Sequence, residues 1–536
     1  MKLPRICGIA LVFALLIPAA FASAYNGNPK LIVVIVIDQL RADYLERYRD
    51  QFGDGGFRVF LDRGAYFTDC NYDYANTSTA PGHATLFTGA YTSGHGILSN
   101  GWWDPQKKKK ITSVEDDATK LVGIAGSGPG ASPHNLRSDT LGDELKLANS
   151  KSRVFALSLK DRAAVFPAGL SGDAAYWIDP KTGSWITSTY YRSQLPDWVQ
   201  NFNESHRAEK YLNREWKDFE GKVLGSTSPR QNKKGEPAGF YELVGSTPFA
   251  NDYQFEFARE LIMYEKLGTG TATDLLTISL SANDILGHQV GPDAPQIRAM
   301  TLESDRQIAD FVNFLGHQIG LANVWMALSA DHGIAPLPEF ANTLHLPAAH
   351  LETGALRDKI NGLLSTKYAR KADYLLELDY PLAFLNDAAF TAAGKKETEA
   401  ESDVGDALVQ VGLYGYFTKS QLASGAPNTE LGRRYAHSFS PVSGWYVMGV
   451  PTPFWVGTSK GTDHVTPFSY DTHVPLAFYG LAFQPGTYRT HAEPVDLAVT
   501  LASLLGINAP VQATGRVLTE ALQQPRKLGV SAGETR

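Results

Sequence analysis

Cysteine is nearly absent from this chain of 536 residues, which has only Cys7 and Cys70. Cys7 falls in a leader-like N-terminus, so the mature chain keeps one cysteine and no intramolecular disulfide can form. A thiol nucleophile is also disfavoured, because Asp69, Asn71 and Asp73 around Cys70 would not lower its pKa. Long apolar runs are equally scarce. Ile9 to Ile17, after Lys2 and Arg5, is too short to cross a bilayer and leads into Ala22-Ser23-Ala24, an A-x-A cleavage pattern. Residues 1–24 therefore read as a signal peptide cleaved after Ala24, with no second segment long enough to span a membrane. Cys7 precedes the apolar stretch, which argues against a lipid anchor there. Export without a disulfide fits a bacterial periplasm or a secreted protein. Positive charge is not in excess: 49 Lys and Arg face 56 Asp and Glu, and the net charge of −7 becomes −9 once the leader's two cations leave. That balance gives no argument for nucleic-acid binding. Internal repeats and long low-complexity tracts are missing as well.

What the chain does have is an ordinary globular composition, 43% apolar and 20% charged, and enough length for one large α/β domain with insertions or for two to three domains. Apolar, strand-like runs occur at Leu31–Ile37, Val154–Leu159, Leu275–Leu280, Val324–Leu328 and Val474–Tyr479. Helical patterns occur at Tyr44–Phe60, Thr140–Ala148, Ala299–Gly316 and Asp496–Leu505. This βα alternation predicts a mostly parallel central sheet sandwiched by helices. Two stretches break the rhythm. Residues 181–250, rich in Trp, Tyr, Pro, Gly and charge, read as an insertion, and residues 337–445, with a helix over Leu356–Tyr368, as a second. The expected organisation is core at 25–180, 251–336 and 446–525, the two insertions as caps over the strand ends, and a tail at 526–536.

Six side chains suited to metal ions sit in four patches. Asp38 ends the first strand-like run, Asp284 and His288 follow the third, and Asp331 and His332 follow the fourth. The last patch, Gly461-Thr462-Asp463-His464, instead precedes an apolar run. Ligands at the carboxyl ends of parallel strands meet at one sheet edge, and Asp and His in equal numbers suit a pair of zinc-like ions. Each patch alone has a plainer account. Arg41 can pair with Asp38, and Asn283 or Ser281 can cap a helix with Asp284 in its first turn. His473 competes with His464, whose place in a Gly/Thr/Pro-rich loop favours it as the ligand. His95, His134, His206 and His437 lack a partner at ligand spacing.

Thr79 is a candidate nucleophile. Pro81 at a first helical position puts it near a helix N-terminus, which attracts anions, and a bound metal can activate its hydroxyl. Thr77 and Ser78 are rival hydroxyls, and spacing does not choose among the three. Lys160 and Arg162 follow the strand-like run at 154–159, and in an extended chain they point the same way, toward one anion. An exposed Lys-Asp-Arg at a strand end is the common alternative. Asn100 alone reads as a turn residue.

Together these residues resemble the alkaline phosphatase superfamily, from Asp38 to the end of the chain and least in the two insertions. The closest branch resembles the phosphate-irrepressible alkaline phosphatases, whose threonine nucleophile stands just before a short helix opening like Ala80-Pro81-Gly82-His83. The resemblance implies an alkaline-phosphatase-like fold and selects Thr79. It implies two divalent ions, zinc by donor type. Asp284, His288 and His464 would hold one; Asp38, Asp331, His332 and the Thr79 oxygen would hold the other. It further implies that Asn100, Lys160 and Arg162 hold the phosphoryl oxygens of a monoester, through a phosphothreonine mechanism with small phosphate esters as substrates. A phosphodiesterase or nucleotide pyrophosphatase of the same superfamily is the enzymatic alternative, and a metal- or phosphate-binding protein on a retired scaffold the non-enzymatic one. Val465 stands where the family usually has Gly after the last His. A sulfatase is disfavoured, since Cys70-Asn71-Tyr72-Asp73-Tyr74 does not fit a C-x-P-x-R motif.

Overall fold

The computed structural model describes residues 27–523 apart from 125, 127 and 426. The leader expected over 1–24 and the tail at 526–536 lie outside the described residues. Five parallel strands form the middle of an eleven-stranded sheet. In chain order they are β1 (Leu31–Ile37), β2 (Val154–Ser158), β3 (Ala174–Ile178), β4 (Asp274–Leu280) and β5 (Val324–Ser329). Their spatial order is β5-β1-β4-β2-β3. All seven residues of β1 are buried, as an apolar run without alternation requires. Neighbouring residues of β2 enter different cores: Phe155 and Leu157 pack with Phe257 and Leu261, Ala156 with Ala80, Ala84 and Val165. Helices therefore cover both faces.

Outside these five strands the sheet is mixed. Leu476–Tyr479 runs antiparallel to β5, and Ala65–Phe67 and Gly486–Tyr488 lie beyond it. At the other side, Trp185–Ser188 pairs antiparallel with β3, so the stretch read as an insertion from residue 181 contributes a strand to the main sheet. The expected parallel character thus holds at the centre and gives way at both flanks. The antiparallel strand explains why the fourth ligand patch comes first: Leu476 lies beside Ser329, the last residue of β5, so the chain enters this strand at the edge where the parallel strands end.

The helical pattern over Tyr44–Phe60 is broken into Ala42–Arg47, a 3-10 turn at Arg49–Gln51, and Phe57–Leu61. At the break the Asp305 carboxylate accepts from the N–H groups of Gly53 and Phe57, doing for the backbone what a continuous helix would have done. The segments Leu375–Asp379, Leu382–Leu385, Tyr446–Val450 and Gly415–Thr418 form a separate antiparallel sheet. Its third strand, Tyr446–Val450, lies wholly beyond the expected boundary at 445. Leu382, Phe384 and Tyr446 of this sheet pack on Leu98 and Trp102, and Ser99 donates to Asp379, so the unit is seated on the loop that carries Asn100.

Candidate active site

The sheet delivers polar side chains from four adjacent strands to one edge. Asp331 and His332 follow β5, Asp38 follows β1, Asp284 and His288 follow β4, and Lys160 follows β2. The Asp38 N–H extends the ladder to Leu280 O (3.0 Å), which levels the ends of β1 and β4. The chain then turns through Gln39 in a left-handed conformation (φ 68°). Gln39 N donates to Asp331 Oδ1 (3.0 Å) and its Nε2 to Asp284 Oδ1 (2.7 Å), joining the flanking strands across β1. Asp284 and His288 sit one turn apart on α2 (Ala282–Val290), where an i,i+4 pair shares a face. Gly287 lies inside this helix, where a Cβ would collide with the Gln39 side chain.

Two clusters of donors result. In the inner one, His332 Nε2 lies 3.5 Å from both Asp38 Oδ1 and Asp331 Oδ2. All three residues are fully buried, and these three atoms have no hydrogen-bond partner. In the outer one, Asp284 Oδ1 lies 3.2 Å from His288 Nε2 and 3.9 Å from His464 Nε2. The three imidazoles share one arrangement. Nδ1 faces a backbone carbonyl: Gly333 O for His332 (2.9 Å), Thr462 O for His288 (2.9 Å) and Thr77 O for His464 (2.7 Å). A carbonyl only accepts, so Nδ1 carries the proton and each Nε2 lone pair points into the site. Buried, unpartnered acceptors on two carboxylates and an imidazole are costly unless a cation meets them, and Asp/His donors of this kind fit divalent metal ions.

The electrostatics express the same demand for positive charge. Burial, reinforced by Asp284 and Asp331, pushes Asp38 up to about 7. Burial opposes protonation of His288, yet the adjacent Asp284 carries it up to about 10. Burial takes His332 down to about 4 and, with His332 alongside, His464 well below its usual range. Lys160 Nζ lies between the clusters, 2.6 Å from Asp38 Oδ2 and 2.5 Å from Asp284 Oδ2, and both carboxylates raise its pKa against the effect of burial.

Thr79 opens α1 (Thr79–Thr88), after Ser78 at the N-cap. Its Oγ1 is 3.4 Å from Lys160 Nζ, between the two clusters. The rival hydroxyls differ: Thr77 Oγ1 donates to Thr466 O, and Ser78 Oγ is buried without a partner. The helix start rests directly on the Asp331 backbone, and a Cβ at Gly82 would clash with it. Asn100 Oδ1 accepts from Ala80 N (2.8 Å) and Arg162 Nε (3.0 Å), which leaves its Nδ2 free to donate. The strand argument for Lys160 and Arg162 does not describe the backbone found. β2 ends at Ser158, Lys160 stands at the N-cap position of the helix Asp161–Ala168 without capping it, and Lys160 turns to the carboxylates while Arg162 turns to Asn100.

Sequence reading passed over Gln39 and His83. His83 Nδ1 lies 2.8 Å from Thr79 O and 3.3 Å from Asp331 Oδ2, and Nε2 lies 2.8 Å from Ser279 Oγ, so it ties the Thr79 turn to the inner cluster. Its i+4 spacing from Thr79 was the available signal; Gln39 offered none. His473 faces Thr68 O and is not among the clustered donors. Val465 has φ 74°, a conformation that suits glycine and strains a β-branched side chain. That is the physical content of its departure from Gly.

A model of the type I phosphodiesterase / nucleotide pyrophosphatase family matches residues 32–417. A protein of Myroides odoratus named calcium-transporting ATPase is 33% identical, covering 94% of this chain and 97% of its own. Alkaline phosphatase PhoV of Synechococcus elongatus is 31% identical over 92% of this chain and 93% of its own. The crystal structure of alkaline phosphatase PafA superimposes with a TM-score of 0.84 at 28% identity, covering 93% of this chain and 99% of that one. The chain belongs to the type I phosphodiesterase / nucleotide pyrophosphatase family, within the alkaline phosphatase superfamily.

Proposed function

We propose that this enzyme is an exported alkaline phosphatase that hydrolyses phosphate monoesters through a phosphothreonine at Thr79, with two zinc ions. Asp284, His288 and His464 would hold one ion, and Asp38, Asp331, His332 and Thr79 the other. The observation that carries the reading is the trio of buried, unpartnered donor atoms on Asp38, Asp331 and His332 beside the Thr79 helix start. When bound, such ions lower the pKa of a hydroxyl and neutralise charge on phosphoryl oxygens.

The remaining chemistry belongs to the chain. Thr79 Oγ1 attacks phosphorus, its bond to phosphorus forming as the bond to the leaving alkoxide breaks. Water then attacks the phosphothreonine, the Thr79 oxygen leaves, and inorganic phosphate is released. Asn100 Nδ2, Lys160 and the Arg162 fork hold the equatorial oxygens, where charge builds in the transition state. The N–H groups opening α1 add their dipoles. Lys160 and Arg162 favour a monoester dianion over the single charge of a diester. Residues 1–24 direct export to the periplasm or beyond, and the stretch 181–250 outside its sheet strand Trp185–Ser188, together with 337–445, caps the strand ends and selects the substrate.

The matched family's description favours a second reading, cleavage of phosphodiesters with the same ions and the same threonine. One experiment separates the two. Rates are measured on an aryl monoester and its diester with the wild type, Thr79→Ala and the pair Lys160→Ala with Arg162→Ala. The monoester is expected to be preferred, the paired variant to lose that preference, and Thr79→Ala to form no phosphoenzyme and to slow turnover by about 1000-fold or more. An unchanged monoester-to-diester ratio in the paired variant would overturn the monoester assignment.

A further inference from the structure

The outer cluster has a carboxylate that neither spacing nor resemblance assigned. Donor atoms of Asp463, His288 and His464 lie within 4.8 Å of one another. Asp463 Oδ1 is 3.9 Å from His464 Nε2, the same distance as Asp284 Oδ1, and its nearest approach to His288 is 3.8 Å, at the Nδ1 that also faces Thr462 O. Its position is fixed by the backbone. Thr462 N donates to His288 O (3.0 Å), Ala335 N donates to Asp463 O (3.2 Å), and a Cβ at Gly461 would clash with His288 O, so the loop is stitched onto α2. Oδ1 accepts the His464 N–H (2.9 Å), and only the two imidazoles, no Lys or Arg, lie within ion-pair distance of the carboxylate among the described residues.

A carboxylate set beside the free Nε2 of His464, whose Nδ1 is already engaged, and grouped with His288 at the rim of the outer cluster has a cation as its natural counterpart. We propose that Asp463 is a further protein ligand to the outer ion, which gives that site two carboxylates and two imidazoles. This rests on the two-ion reading above. Its consequence is selectivity. A second carboxylate strengthens the site for ions that favour oxygen, such as Mn²⁺, relative to Zn²⁺.

The test is calorimetric titration of the chelator-stripped full chain with Zn²⁺ and with Mn²⁺, for the wild type, Asp463→Asn and Asp463→Ala. Asn keeps an oxygen to accept the His464 N–H, so the loop contact survives while the charge is lost. The wild type is expected to bind two ions per chain. In Asp463→Asn one of the two steps should weaken about tenfold or more, with Mn²⁺ losing more than Zn²⁺ and the other step unchanged. Wild-type constants in Asp463→Asn, whatever Asp463→Ala does, would overturn the assignment of Asp463 and leave the two-ion reading standing. A wild type that binds fewer than two ions would overturn both.

Discussion

The inner and outer donor clusters differ in how the chain holds them. Asp38, Asp331 and His332 stand directly at the ends of β1 and β5 with side chains 0% exposed, whereas in the outer cluster Asp284 and His464 are buried but His288 is 34% exposed. The inner donors are placed by a buried sheet ladder. The outer ones depend on one turn of α2 and on a loop. Rigid strands give precision, while helices and loops at a rim allow exchange with solvent. The two ion sites of one reaction centre should therefore differ in affinity, in exchange rate and in tolerance to substitution.

The largest effect should come from breaking the inner cluster. Asp331→Ala removes one of the three buried acceptors of the inner cluster and the Oδ1 that accepts from Gln39 N. It should cut turnover by more than the roughly 100-fold that loss of an outer-shell partner costs, with no recovery in excess metal. His288→Ala, at the rim, should recover much of its activity as Zn²⁺ is raised. Initial rates against metal concentration decide between these outcomes, and equal rescue of both variants would erase the distinction. Next in size is stability. An ion held at 100 times its dissociation constant adds about 2.7 kcal/mol to the folded state, so chelation should lower the melting temperature in two steps, the outer ion leaving first. A single step would mean the clusters act as one.

A buried imidazole away from both clusters gives a reference for the pH behaviour. His95 accepts from Ile97 N at Nδ1 and faces Thr85 Oγ1 at Nε2, and burial lowers its pKa to about 3. Between its unfolded value near 6.5 and about 3, the unfolded chain binds the proton and the folded chain does not. Stability therefore drops as the pH is lowered through that window, by about 2 kcal/mol between pH 6.5 and 5. Urea midpoints should show this acid limb in the wild type and a shallower one in His95→Gln. The smallest effect concerns the outer loop. Val465→Gly should relieve the left-handed strain and raise stability by about 1 kcal/mol, a shift that thermal unfolding would resolve. No gain would mean that the contacts around Val465 absorb the strain.

Much of this arrangement was readable because a parallel sheet turns distant sequence positions into neighbours. An apolar run ending in Asp or His is a local signal, and three such runs share one edge by topology alone. Thr79 against Thr77 and Ser78 was not readable from spacing, since the three hydroxyls differ only in what each meets across the fold. Gln39 escaped for the same reason: its partners lie 245 and 292 residues away. The break in the Tyr44–Phe60 pattern depends on Asp305, far along the chain. The strand at Trp185–Ser188 was hidden by a composition that resembles a loop.

Gly82 sets a limit on how this enzyme can change. The helix that presents Thr79 meets the Asp331 backbone and Cβ with no side chain of its own, and Asp331 is itself a site residue, so neither side of that seam can be enlarged. Adaptation to bulkier or differently charged esters cannot proceed by adjusting the seam, and variation is displaced outward, onto the rim loop and the segments seated around Asn100.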